Sequence, residues 1–466
     1  MRGPVAVLLL SALALTGCAS AGPTVTSPTT PSNRHQSTPA EPFVSESWTG
    51  YHSDQARTGS VMSTPPREPT VVDWTAALGG AVYGQPVFAH NRVIAATENN
   101  RVSALNAGSG AVEWTVSLGP PLTHVAELAG CGDIDPLGIT STPAVDLTTG
   151  TVYVVGEVFK NGAVHHQLEG VAIDTGKVLL SESVDPPLPA GENPRTLLQR
   201  AGLAIANGRV YIGFGGNAGD CGSYHGWVVS VKETGPARLQ SFEVAADGQG
   251  GAIWEAGGAP AVDSHGNVYV TTGNANPDPP QGGPDPRKYT ESVVKLSPGL
   301  VPLAAFKDVV AGGDEDLATG NPVLLPHGLV FAIGKTDVAY ILKQSDLSQV
   351  AAIPGVCGSD PDGGPAFDPA TDRIYVPCRG GGIQQLDLAT KTVGPKFPGA
   401  NAAPLLIGST LWAALYPNGT LTEVDTTTGA VTQTLAVGST VPHFVTPSTA
   451  GGMLFLGTDR GVVAFG

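Results

Sequence analysis

Hydrophobic and polar residues alternate along the chain in short bursts, and the bursts recur. Eight two-residue apolar cores mark the recurrence: Val93-Ile94, Val152-Tyr153, Val210-Tyr211, Val268-Tyr269, Val330-Phe331, Ile374-Tyr375, Leu411-Trp412 and Leu454-Phe455. A proline leads most of them, at Pro86, Pro143, Pro260, Pro322, Pro365, Pro404 and Pro447; Ala201-Gly202 takes its place in the third unit. Polar turns such as Asn207-Gly208, Ser264-His265-Gly266 and His327-Gly328 sit just before the cores, which is hairpin chemistry. A further strand and turn often follow, as at Val171–Gly176 and Leu386–Thr390, and an exit strand such as Ala111–Trp114 completes the unit. Four short strands repeated eight times predict an all-β fold, an eight-bladed β-propeller.

A blade cannot bury its faces alone, so the units must stack and the ring must close. The last unit stops at Gly466 after three strands, whereas Val71–Thr75 has strand character ahead of the first unit. This N-terminal strand is expected to supply the missing fourth strand, which removes an open edge. The cores stand about 60 residues apart in blades two to five and about 40 apart later. Insertions therefore fall near residues 120–138, 155–166, 185–200, 215–226 and 273–291, which directs attention to the loops of blades two to five.

Composition agrees with this reading. Gly (62) and Pro (40) together fill about a fifth of the 466 residues, nearly twice average usage, and argue against a helical protein. The net charge of −16 disfavours nucleic acid as a partner.

The first residues carry an address. Arg2 precedes the mostly apolar run Val5–Leu15, too short to span a bilayer and suited to a signal peptide over residues 1–17. Leu15-Thr16-Gly17-Cys18 resembles the bacterial lipobox, which implies cleavage before Cys18 and lipidation (diacylglyceryl, palmitate-type chains) of its sulfur. Residues 18–46, rich in Ser, Thr and Pro, read as a tether, and 47–466 as the propeller. The expected location is the outer face of the cytoplasmic membrane, with the lipid as the sole membrane contact. Cys131, Cys221, Cys357 and Cys378 remain. An even number in an exported chain favours disulfides. Cys357–Cys378 is the local candidate because both flank one strand pair, which leaves Cys131–Cys221.

The stretch from Pro86 through Glu98-Asn99-Asn100 and Ala104-Leu105-Asn106 to Trp114 resembles the PQQ-like propeller repeat of pyrroloquinoline-quinone dehydrogenases and of non-catalytic lipoprotein propellers. Trp48–Gly59, Gly138–Pro143, Tyr224-His225-Gly226-Trp227, Thr272-Gly273-Asn274 and Asp314–Leu317 are similar to an actinobacterial secreted group within it. The resemblance implies a propeller but leaves the activity open. A quinoprotein of this family needs Ca²⁺ on carboxylate and amide oxygens, a carboxylate base, and a flat sandwich of Trp and two adjacent cysteines. Asn274 is similar to a calcium ligand, Asp314 to the base, and Asp220 stands where the family has a ligand Glu. No two cysteines are adjacent. The expectation is therefore no cofactor, with Ca²⁺ at Asp220, Asn274 and Asp314, or PQQ, as the alternative.

Polar and aromatic residues of blades three and four, Arg195, Arg200, His225, Trp227 and Trp254, are a candidate ligand funnel with Trp rings as platforms. His165 and His166, adjacent on a strand, should point to opposite faces and so not share a metal. The resulting expectation is a non-catalytic binding or scaffolding module of the cell envelope, for a protein, peptide or glycan. The alternative is a divergent quinoprotein-type oxidoreductase or other envelope carbohydrate-active enzyme.

Overall fold

The computed structural model describes residues 47–61, 71–234, 238–277, 287–308 and 313–466. The leader, Cys18 and the tether lie outside these. The described residues form eight antiparallel sheets, one per predicted unit. Blade one runs through Val87–Ala89, Arg92–Thr97, Arg101–Asn106 and Val112–Ser117. Blades two to seven repeat the plan and begin at Ala144, Ala204, Ala261, Val323, Ala366 and Leu405. All eight apolar cores fall in the second strand of their blade. Residues of both faces of these strands are buried, because neighbouring blades stack on them. The outermost strands keep the alternation of half-exposed edges, as in Val112–Ser117.

Blade eight is built from both ends of the chain. Ser448–Ala450, Met453–Thr458 and Gly461–Phe465 supply three strands, and Val72–Ala77 pairs antiparallel with Gly461–Phe465 as the fourth. Trp74 packs against Phe455 at 5.9 Å between ring centres and donates its indole N–H to the Ala107 carbonyl of blade one (2.8 Å). The closing strand is thus stitched to blade eight by its backbone and to blade one by its side chain.

A second device was not foreseen. Residues 48–61 run round the inside of the ring and bond the innermost strands of seven blades in order. Trp48 and Phe88 exchange two backbone hydrogen bonds (2.8 Å each), and Val145 N–H donates to Thr49. Gln55 donates to the Ile205 carbonyl and accepts, on its own carbonyl, from Val262. Leu324, Phe367 and Leu406 donate to Ala56, Thr58 and Gly59. Ser60–Val61 then lies parallel to Leu406–Ile407. The inner edge of each blade would otherwise present unpaired N–H and C=O groups to the axis. Tyr51, His52 and Arg57 fill that axis, each at most 2% exposed.

Both cysteine pairs are disulfides, Cys131–Cys221 and Cys357–Cys378. The first staples the segment between blades one and two, which carries the one-turn helix Val125–Ala129, to a loop of blade three. The insertion at 155–166 is no loop: strands Thr151–Lys160 and Ala163–Ala172 simply extend the hairpin. His165 is exposed and His166 buried, as strand alternation requires, yet both ring Nδ1 atoms reach Asp185, at 3.3 and 2.9 Å.

Candidate functional site

In an up-and-down blade, the loop between strands two and three opens at the same end as the connection to the next blade. These two loop sets converge near the axis on a cavity of about 360 Å³. Its lining comes from connections after blades one, two, three, four and seven (Asp133, Arg200, Trp254, Asp314, Asp316, Phe444) and from inner loops of blades three, five and six (Asp220, Lys335, Arg379).

The acidic side is organised around Asp316. It is fully buried, accepts the Asn274 backbone N–H at Oδ1 (2.8 Å), and pairs with the Lys335 ammonium at 2.8 Å. Lys335 also donates to Asp314. Burial opposes the ammonium charge, but Asp316 and Asp314 outweigh it and hold Lys335 above its ordinary range. Gly273 makes this possible: a Cβ there would stand 2.3 Å from Asp316 Oδ1. Thr272-Gly273-Asn274 is therefore a cradle for a carboxylate.

The opposite wall is an aromatic stack. His443 lies between Tyr416 (4.6 Å) and Phe444 (3.7 Å). Its Nε2 contacts Asp362 at 2.9 Å, and Arg379 reaches the same carboxylate at 3.3 Å. The Arg200 guanidinium sits 4.2 Å from the Phe444 ring centre and 5.7 Å from that of Tyr83. Trp254 donates its indole N–H to the Gly216 carbonyl (2.7 Å), which fixes the ring at the cavity edge. Beneath, Glu255 is fully buried; burial pushes its carboxyl up to about 8, against the attraction of Arg57.

Of the five residues expected to line a funnel, Arg200 and Trp254 do. Arg195, His225 and Trp227 do not. Arg195 turns outward to the Leu128 carbonyl (3.3 Å). His225 is clamped between Glu192 (2.5 Å) and the Gly248 carbonyl (2.8 Å). Trp227, 3% exposed, belongs to the core between blades two and three, because its strand position faces the neighbouring blade. Lys335, Arg379, His443 and Phe444 were missed; three of them lie in the short later repeats, where no insertion drew attention.

Asp220 and Asp314 line the same cavity, whereas Asn274 stands behind the lining, its backbone N–H on Asp316. Asp220 accepts from the Tyr224 hydroxyl. Asp314 and Asp316 already hold an ammonium, and among the described residues no three His, Cys, Asp or Glu side chains converge as metal ligands. A divalent cation would face Lys335, so this donor set does not fit Ca²⁺. The disulfides join distant cysteines and offer no vicinal plate for a quinone.

Residues 68–215 match the family model described as outer membrane protein assembly factor BamB. No curated protein sequence matches the chain. Among solved structures, quinohemoprotein alcohol dehydrogenase from Comamonas testosteroni is similar at 13% identity, with a TM-score of 0.69 over 90% of this chain and 80% of that one. A europium-containing methanol dehydrogenase is similar at 13% identity and TM-score 0.68, over 90% of this chain and 97% of that one. BamB from Moraxella catarrhalis follows at 11% identity and TM-score 0.57, over 85% of this chain and 99% of that one. Repeat pattern, ring and matches together show an eight-bladed β-propeller whose residues 68–215 are similar to the PQQ-like repeats.

Proposed function

We propose that the chain is a non-catalytic binding module of the cell envelope, tethered to the membrane through Cys18, that takes a segment of a protein, peptide or glycan into the axial cavity. The similar folds include both dehydrogenases and an assembly factor, so the site has to decide. The observation that carries the reading is the pairing of the lining charges. Lys335 is held by Asp314 and Asp316, and Arg379 by Asp360 and Asp362. Groups tied this way shape and orient a ligand. The two disulfides support an oxidising, extracytoplasmic setting.

The test is a binding panel. Purified propeller is titrated with envelope-derived peptides and oligosaccharides, followed by calorimetry and Trp fluorescence. Saturable binding that Trp254→Ala weakens supports the reading. Retention of PQQ with Ca²⁺, together with dye reduction by alcohols or sugars, would replace it with the oxidoreductase alternative.

A further inference from the structure

Among the described residues, one cation of the cavity forms no ion pair. Lys335 and Arg379 each meet two carboxylates, whereas Arg200 has no carboxylate within 4 Å among the described residues. It is 7% exposed, nearly as buried as a core residue. A guanidinium offers five N–H donors and keeps its charge at any physiological pH. Here one donor goes to the His443 carbonyl at 3.2 Å, and Nε is buried with no partner among the described residues. The rings of Phe444 and Tyr83 attract its charge but accept no in-plane hydrogen bond. A buried charge is normally paired, because desolvation costs several kcal/mol. Arg200 lines the cavity and lacks that pair among the described residues; Asp133, Glu98 and Asp362 act on its charge only from beyond 4 Å.

We propose that Arg200 is the anchor for a carboxylate on the ligand, and that the ligand is a glycan ending in a uronic acid. The proposal rests on the binding reading above and gives its cavity a chemical class. The other lining groups select the rest of such a ligand. Asp133, Asp220 and Asp314 present carboxylate oxygens that accept hydrogen bonds from sugar hydroxyls, and they repel a second anionic group. The net charge of −16 adds to that repulsion, so a polyanion is disfavoured and a single carboxylate on a hydroxyl-rich body fits. Trp254, held at the cavity edge, offers an aromatic surface for a pyranose ring.

The experiment compares three probes on the wild-type propeller by calorimetry: a trisaccharide ending in glucuronic acid, its methyl ester, and an acidic tripeptide. The methyl ester removes the charge and keeps the sugar, so the comparison needs no variant. The acid is expected to bind about ten- to a hundredfold more tightly than the ester, the usual worth of a hydrogen bond to a charged group. R200Q should remove that difference and R200K should restore part of it, with melting curves confirming the fold. Equal binding of acid and ester overturns the carboxylate anchor while leaving the binding module standing. Tighter binding of the tripeptide overturns the glycan assignment. Binding of neither sugar overturns the proposal, and the wider panel then decides the binding reading independently.

Discussion

Trp74→Ala is the perturbation that best weighs the closure of the ring. Trp74 is 8% exposed, packs on Phe455, and sits so close to Gly110 that a Cβ there would lie 2.5 Å from the indole. Truncation to Ala leaves a large cavity at the seam of blades one and eight, worth about 3–5 kcal/mol by comparison with other buried Trp and Phe truncations. It also strips the Ala107 carbonyl of its indole partner, about 1 kcal/mol more. The backbone pairing of Val72–Ala77 with Gly461–Phe465 remains, so the ring should stay closed but open locally more often. Urea unfolding should show a loss of about 4–6 kcal/mol. Hydrogen exchange should speed first at Val462 and Ala464, whose N–H groups face the closing strand. A loss under 1 kcal/mol with unchanged exchange there would refute the reasoning, since it would mean that the closing strand bears no load.

Other predictions follow from single groups. Glu255 has its carboxyl raised from 4.5 to about 8 by burial, so the folded state favours its protonated form. Its favourable contribution is complete below about pH 4.5 and is lost as pH rises through 8, a span of about 4–5 kcal/mol at most. Glu255→Gln should therefore flatten the fall of stability between pH 5 and 8, measured by urea midpoints across that range; an unchanged slope counts against the assignment. Replacing both Cys131 and Cys221 by Ala opens a 90-residue loop, with an expected loss of about 4 kcal/mol on chain entropy. Thermal melts with and without reductant check it, and the double variant should lose its reductant sensitivity at that bridge. Gly273→Ala pushes a methyl onto Asp316 Oδ1, which should displace the Asp316–Lys335 pair and weaken ligand binding at least tenfold while leaving blade packing intact. Circular dichroism and the binding panel separate those two effects.

What was legible in the sequence depended on range. Strand period and hairpin turns are local signals, so the eight cores and the blade number could be read from Val93-Ile94 to Leu454-Phe455. Closure by the segment around Trp74 followed from a count of strands: one blade lacked a fourth, and one strand lacked a blade. The segment 48–61 was noticed for its residues but not for its role as an inner belt, because it binds through backbone groups to inner-strand edges, and backbone bonds leave no periodic mark on side chains. Trp227 and His225 were misplaced for a related reason: alternation tells that a strand has two faces, and in a stacked blade both are buried. The Thr272-Gly273-Asn274 stretch was noticed for its Asn side chain, whereas the fold uses its Gly and its backbone N–H to seat Asp316. Asp316 itself was passed over for Asp314, two residues away and more exposed. The cavity unites Asp133 with Phe444, a separation that no local pattern encodes.

We propose that this propeller binds its ligand through the axial cavity on one face. Site-directed photo-crosslinking in native membranes tests it most directly, with a photoreactive residue at Ala218, on the cavity wall, and in parallel at Ser264, in the groove beside Asp54 and Thr58. A discrete adduct is expected from position 218, competed by excess free ligand from the binding panel, and none from 264. Adducts from 264 alone would contradict it.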